Sequence, residues 1–167
     1  MGTRCNIHFN HGQSVCANIY RHGDGYPGKV RKGEELEYGI LSDLLAFFRE
    51  LKENVGDNRL GCAQYLSAKF LVWQAKQFAK TYKGLNPETK EFEYEDNHYL
   101  DFLSVAPAME DHSDIEYVYE VDCDKRDKEG FPAIRWKPCT PFGGPDAQKG
   151  RWRTVYLCGK PPKAKAA

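Results

Sequence analysis

The hydrophobic period of this chain changes twice, from two to 3.6 and back to two. Cys5, Ile7 and Phe9 alternate with Arg4, Asn6 and His8, and Val15, Ala17 and Ile19 alternate with Cys16, Asn18 and Tyr20. Such alternation sends the two sets to opposite faces of a strand. Leu41, Leu44, Leu45, Phe48, Leu51 and Val55 then recur at helical spacing, as do Cys62, Leu66, Phe70 and Trp73. Ser42 is the expected N-cap of the first helix, Asp43 suits its first turn, and Gly56 is its natural stop. The second helix is expected from Leu60 to Tyr82, ended by Gly84. Alternation returns at Ile115, Tyr117, Tyr119 and Val121, all expected on one face, with later strands at Ala133 to Trp136 and Trp152 to Leu157. Two blocks of strands around a helical pair, without β-α-β alternation, predict an α+β fold. The expected architecture is a mostly antiparallel sheet, built from the N-terminal hairpin and the C-terminal strands, with the helical pair packed on one face.

The first two strands need a turn between them. A three-residue loop, His11-Gly12-Gln13, pairs Phe9 with Val15, Ile7 with Ala17 and Cys5 with Ile19, and so keeps the apolar faces together. A two-residue loop would set apolar against polar positions. The opposite face then collects Arg4, Asn6, His8, Asn18 and Tyr20, with His22 next in line. Its residue types differ from the Lys, Glu and Thr of an ordinary solvated face. Arg, Asn, His and Tyr make directional contacts with phosphate, ribose and bases. The competing reading is simply the wet side of an antiparallel sheet.

That face runs into Tyr20-Arg21-His22-Gly23-Asp24-Gly25-Tyr26-Pro27, where a guanidinium, an imidazole, a carboxylate and phenols surround two glycines. As a catalytic site, His22 would be acid or base, Asp24 would orient it and Arg21 would hold an anionic substrate such as a phosphodiester. Arg21 and His22 are adjacent, however, and point apart if the strand persists. As a structural corner, Asp24 caps the turn, Arg21 pairs with it or with Glu116, and Tyr26-Pro27 sets the exit.

At 167 residues with 41% apolar content the chain can bury a core as one domain. Residues 1–159 are expected to form it, and 160–167 a disordered basic tail. Lys plus Arg and Asp plus Glu are 24 each, so no global field draws the protein to nucleic acid or anionic lipid. Nucleic acid is therefore not the expected partner, although Arg151-Trp152-Arg153 and Arg135-Trp136-Lys137 mix cations with indoles. These two stretches suit bases and phosphates, or the basic wall of a small-ligand pocket. The acidic run from Glu91 to Asp96 reads as an exposed hairpin or loop.

No apolar run approaches a bilayer span, and Met1 to Asn6 lacks a signal-peptide core, so a cytoplasmic setting is expected. In that setting the six cysteines are expected as packed thiols. Cys5, His8, His11 and Cys16 lie close in sequence, but on a strand Cys5 and His8 face apart, so no metal site is expected. No phosphate loop, nucleophile elbow or metalloprotease motif occurs, and no cofactor is expected.

Thr3-Arg4-x-Asn6-Ile7 followed by Tyr20-Arg21-His22-x-Asp24-Gly25-Tyr26-Pro27 resembles the start of an uncharacterised family of small phage and bacterial proteins. Looser similarity extends to Leu66 through Gln74, Leu100 through Val105 and Asp114 through Tyr117. Gly23 stands where family members carry a bulky residue. The resemblance implies a phage-type accessory protein of the bacterial cytoplasm, with counter-defence as a class of role.

The expected function is binding, without turnover, of a small anionic nucleotide-like ligand. Arg4 and Arg21 would supply charge. His8, His22, Asn6, Asn18 and Asp24 would hydrogen-bond, and Tyr20 or Tyr26 would stack. The alternatives are a hydrolase using His22 and Asp24, and a protein–protein inhibitor working through its acidic loop. Self-association is left open.

Overall fold

The computed structural model describes residues 2–28, 38–77, 80–96, 103–108, 110–141 and 150–160. Of the expected tail, residues 161–167 lie outside the described residues. The chain opens with strands β1 (Cys5–His11) and β2 (Ser14–Arg21), then helices α1 (Ile40–Val55) and α2 (Ala63–Gln77). A short hairpin follows, β3 (Lys80–Leu85) and β4 (Phe92–Asp96). Strands β5 (Leu103–Ala106), β6 (Tyr117–Arg126), β7 (Pro132–Pro138) and β8 (Arg153–Val155) complete the fold. Six strands form one sheet in the order β5-β2-β1-β6-β7-β8, and β3 pairs with β4 separately. The β1–β6 pair is parallel and the other pairs are antiparallel. A parallel pair needs a long crossover, and the helices occupy it. The fold is α+β.

The first hairpin departs from its expected register. Ile7 pairs with Ile19 and Phe9 with Ala17, while Asn10 pairs with Val15 and His11 with Ser14. The loop is thus only Gly12-Gln13, with Gly12 at φ 60, the backbone that a two-residue hairpin turn demands. A bulge absorbs Cys16 between Phe9 and Asn10. One extra residue restores the phase that the short loop would have lost. From Ala17 onward the apolar and polar faces are therefore as expected, but near the turn Val15 pairs with Asn10, and Cys16 takes the place against the core that was expected for Val15. The turn is anchored from β6: the Asp124 carboxylate accepts the Gly12 N–H, and His11 Nδ1 lies 2.9 Å from the same carboxylate.

Helix α1 starts at Ile40, so Ser42 sits inside it and is not its N-cap; Gly39 takes that place at φ 116. Its free N–H groups are met by the glycine corner. Ile40 N–H donates to the Tyr26 carbonyl at 3.0 Å and Leu41 N–H to the Pro27 carbonyl at 3.4 Å. A side chain at position 39 would place its Cβ 2.6 Å from the Tyr26 oxygen. At its other end, Gly56 at φ 74 closes α1 by donating its N–H to the Lys52 carbonyl.

Helix α2 ends at Gln77, and by Lys80 the chain is already a strand. The helical pattern that suggested an end at Tyr82 is overridden by pairing of Lys80 to Leu85 with Phe92 to Asp96. The acidic run is thus one arm of a hairpin.

The main core joins Cys5, Ile7, Phe9 and Ile19 of the hairpin to residues of α1, α2, β6 and β7. Phe70 anchors it, 5.7 Å from the Phe9 ring and 5.3 Å from Phe47. A smaller cluster holds Tyr20, Ala106, Ile115 and Val118. Ile115 therefore departs from the expected row with Tyr119 and Val121, because it precedes β6 and packs with the opposite face. No described helix is long and apolar enough to cross a membrane.

Candidate functional site

The polar face of the hairpin is roofed by the chain that follows β5. Asn6 donates to the Asn18 carbonyl oxygen at 2.6 Å, and Asn18 donates to the backbone carbonyls of Pro107 and Glu110 at 3.0 Å each. The His112 N–H donates to the Asn6 side-chain oxygen at 3.4 Å. Both amides are fully buried, and their donors and acceptors are spent on the protein itself. A buried amide without partners would be costly; these two instead fasten the roof. His8 Nε2 lies 2.7 Å from Asp111, both largely enclosed.

Toward the glycine corner the same face opens. Tyr20 is buried, and its hydroxyl donates to Asp114 at 2.9 Å. Burial, reinforced by that carboxylate, pushes the phenol up to about 12. Arg4 pairs with Asp114 at 3.3 Å and keeps a third of its side chain in water. Among the described residues its Nε has no hydrogen-bond partner. Two imidazoles flank the Tyr20 ring: His22 edge-on at 4.4 Å between centroids and His112 stacked at 3.9 Å. Both histidines are exposed. Among the described residues, this is where the polar face presents ring and cation chemistry to solvent.

Arg21 takes the other direction. It is 3% exposed and lies on the core side, opposite Cys5 in the register. Its Nε donates to the Gly23 carbonyl at 2.8 Å, and one Nη donates to Asp43 of α1 at 2.5 Å and to Gln74 of α2 at 3.0 Å. Gln74 in turn donates to Asp43 at 3.2 Å. The expected role of Arg21 as a ligand cation gives way to a tie between β2 and both helices. The reason is the period of two: a residue next to a polar-face histidine must point inward.

Asp24 is exposed at φ 50, and no hydrogen bond joins it to His22. Gly25 passes beneath the N-terminal strand, donating its N–H to Thr3 at 2.8 Å, while its carbonyl accepts the Tyr119 hydroxyl at 2.8 Å. A Cβ there would lie 2.9 Å from Thr3, Arg4 and Cys5 atoms. Tyr26 is 37% exposed, with its carbonyl capping α1. The octapeptide is thus a fastened corner whose outer rim, His22, Asp24 and Tyr26, reaches water.

Of the nine ligand-contact candidates, Arg4, His22, Asp24 and Tyr26 are at this rim. Asn6, Asn18, Tyr20 and Arg21 are buried behind it, and His8 is enclosed with Asp111. Sequence reasoning named His112 only as a histidine that could join from afar, and it missed Asp111 and Asp114. Their only signal was a polar run after an apolar strand, without period. A groove of about 360 Å³ between α1 and α2, lined by Phe47, Leu51 and Trp73 among others, lies elsewhere. Among the described residues no group of three or more His, Cys, Asp or Glu side chains could hold a metal ion. No family model, no curated protein and no solved structure matches the chain.

Proposed function

We propose that the protein binds a small anionic, nucleotide-like ligand at the His22–Tyr20–His112 ring cluster, with Arg4 as its charged border. The observation that carries this is the pair of exposed imidazoles held against one buried phenol. Stacked rings fixed from behind offer a base a flat partner at little entropic cost. Arg4 is a guanidinium beside them, able to meet a phosphate through more than one N–H. The rim residues Tyr26 and Asp24 add a second aromatic edge and an acceptor for ribose hydroxyls. The resemblance to phage-type accessory proteins gives such binding a use: sequestering a host signalling nucleotide as counter-defence.

The test is direct. The protein is incubated with a panel of cyclic and ADP-ribose-type nucleotides, removed by heat, and the supernatant is chromatographed. Intact ligand released from a saturable complex is the expected result. His22→Ala and His112→Ala should each weaken binding by roughly tenfold, the size of one lost stacking contact. Absence of heat in calorimetry for every member of the panel would overturn the proposal.

A hydrolytic reading has one specific observation in its favour. Two imidazoles near one surface can divide the work of base and acid on a phosphodiester, and here His112, not Asp24, is the partner brought to His22's neighbourhood. New products in the same chromatogram, lost in either histidine variant, would select it over simple binding.

A further inference from the structure

The far end of the sheet carries chemistry that the ligand surface does not use. Strand β7 and residues 150–155 hold Arg135, Lys137, Arg151 and Arg153 and no acidic residue. Arg135 and Lys137 are two apart on β7, so they share one face. The Trp152 ring lies over both, 4.8 Å from the Arg135 guanidinium and 4.7 Å from the Lys137 ammonium. Arg135 is itself held by Glu120 of β6, through Nε at 2.8 Å. Lys137 is 6% exposed beneath the indole, while Trp152 keeps 38% of its surface in water. Register places Arg153 opposite Trp136, and its guanidinium stacks on that indole at 4.7 Å. Trp136 is backed by Tyr117 at 5.9 Å and Tyr119 at 6.5 Å. Strand β8, which carries Arg153, is an edge of the sheet.

We propose that this edge binds single-stranded nucleic acid, with an unpaired base stacked on Trp152 and the flanking phosphates met by Arg151 and Arg135, whereas Arg153 lies on the other face of the sheet with Trp136. Charge and geometry favour this occupant. An indole held by two cations that keeps 38% of its surface in water is a rigid platform. Base stacking on such platforms is tolerant of sequence. Arg135 and the exposed Arg151 suit a phosphodiester backbone, and no acidic residue lies on β7 or among residues 150–155. The surface is an open edge and not a cleft, so a lone mononucleotide would bury little of itself there. A strand that spans several cations gains contact by contact. Arginines on an edge also discourage strand-to-strand aggregation, but that purpose would not need an indole laid across two cations. The zero net charge of the chain weakens a global field and leaves this local one intact.

The experiment is fluorescence anisotropy with labelled oligo-dT and oligo-U of about 15 nucleotides, long enough for one binding patch. Saturable binding that weakens with salt is expected for both. Trp152→Ala should weaken it by roughly tenfold and Trp152→Phe by much less, because the ring is what stacks. Arg151→Ala should reduce the salt slope by about 0.7, the value for one single-strand phosphate contact. Thermal melts check that each variant is folded, and the Phe and Arg151 variants keep the test open if Trp152→Ala is not. The proposal is overturned by no binding at low salt. Equal affinity for a duplex or a mononucleotide, or Trp152→Ala binding like wild type, also overturns it.

Discussion

Arg21 brings a full positive charge into a region that is otherwise ring and methyl. An unpaired guanidinium there would be very costly, and the charge is tolerated because Asp43, Gln74 and the Gly23 carbonyl receive it. Removing one partner of such a pair costs more than the pair itself contributes. Asp43→Asn should therefore destabilise the fold by roughly 2–3 kcal/mol, below the full cost of breaking a buried pair because Asp43 keeps some contact with water. Urea denaturation measures this, and a change below about 0.5 kcal/mol, the scatter of ordinary surface substitutions, would refute it. At this scale the sequence was partly legible. Period two placed Arg21 opposite His22, but only packing shows that its partners come from two helices 22 and 53 residues away. His22 and Tyr20 fell in the expected row. His112 and Asp114 did not appear in it, because a contact across 90 or more residues leaves no local pattern.

The bulge at Cys16 is the device that makes the first hairpin work. Both its strands alternate cleanly, yet its two-residue loop has the wrong parity for their faces. The bulge supplies the missing residue. Deleting Cys16 removes the unpaired residue and leaves Asn10 paired with Val15, Phe9 with Ala17 and His8 with Asn18, so Asn18 and Tyr20 should stay on the polar face and cooperative unfolding should be kept. Cys16→Ser keeps the count and should cost only about 1 kcal/mol or less, as half-exposed sites usually do. Thermal melts followed by circular dichroism check both variants. Loss of cooperative unfolding in the deletion would show that the bulge geometry itself, and not only the cross-strand register, is required. The helix boundaries follow the same lesson. Leucine spacing located α1, but its start was decided by where the carbonyls of Tyr26 and Pro27 stand. Helical spacing after Gln77 lost to a competing strand pairing.

Across the whole molecule, one core couples the hairpin, both helices and the central strands. Cys5 and Cys123 sit within it, and burial pushes each thiol up to about 12. Only the thiolate reacts readily, so at neutral pH both should label with a disulfide reagent only through opening of the fold. Their labelling rates should rise in step with denaturant as global stability falls. The half-exposed Cys62 should react early. Fast labelling of Cys5 in native protein, read by mass spectrometry of peptides, would contradict a single cooperative core. Composition and periodicity by themselves determined that strands flank helices, which residues of the first hairpin face inward, and that its other face is hydrogen-bonding chemistry. Those properties are local, since they depend on neighbours within a few residues. The tertiary structure alone decided that residues 107, 108 and 110–114 roof this face, that β1 lies parallel to β6, and that among the described residues the face meets solvent at the rim of His22 and His112. Each of these pairs groups far apart in the chain, and satisfying buried amides and carboxylates selects such pairs by their position in space, which no repeat in the sequence records.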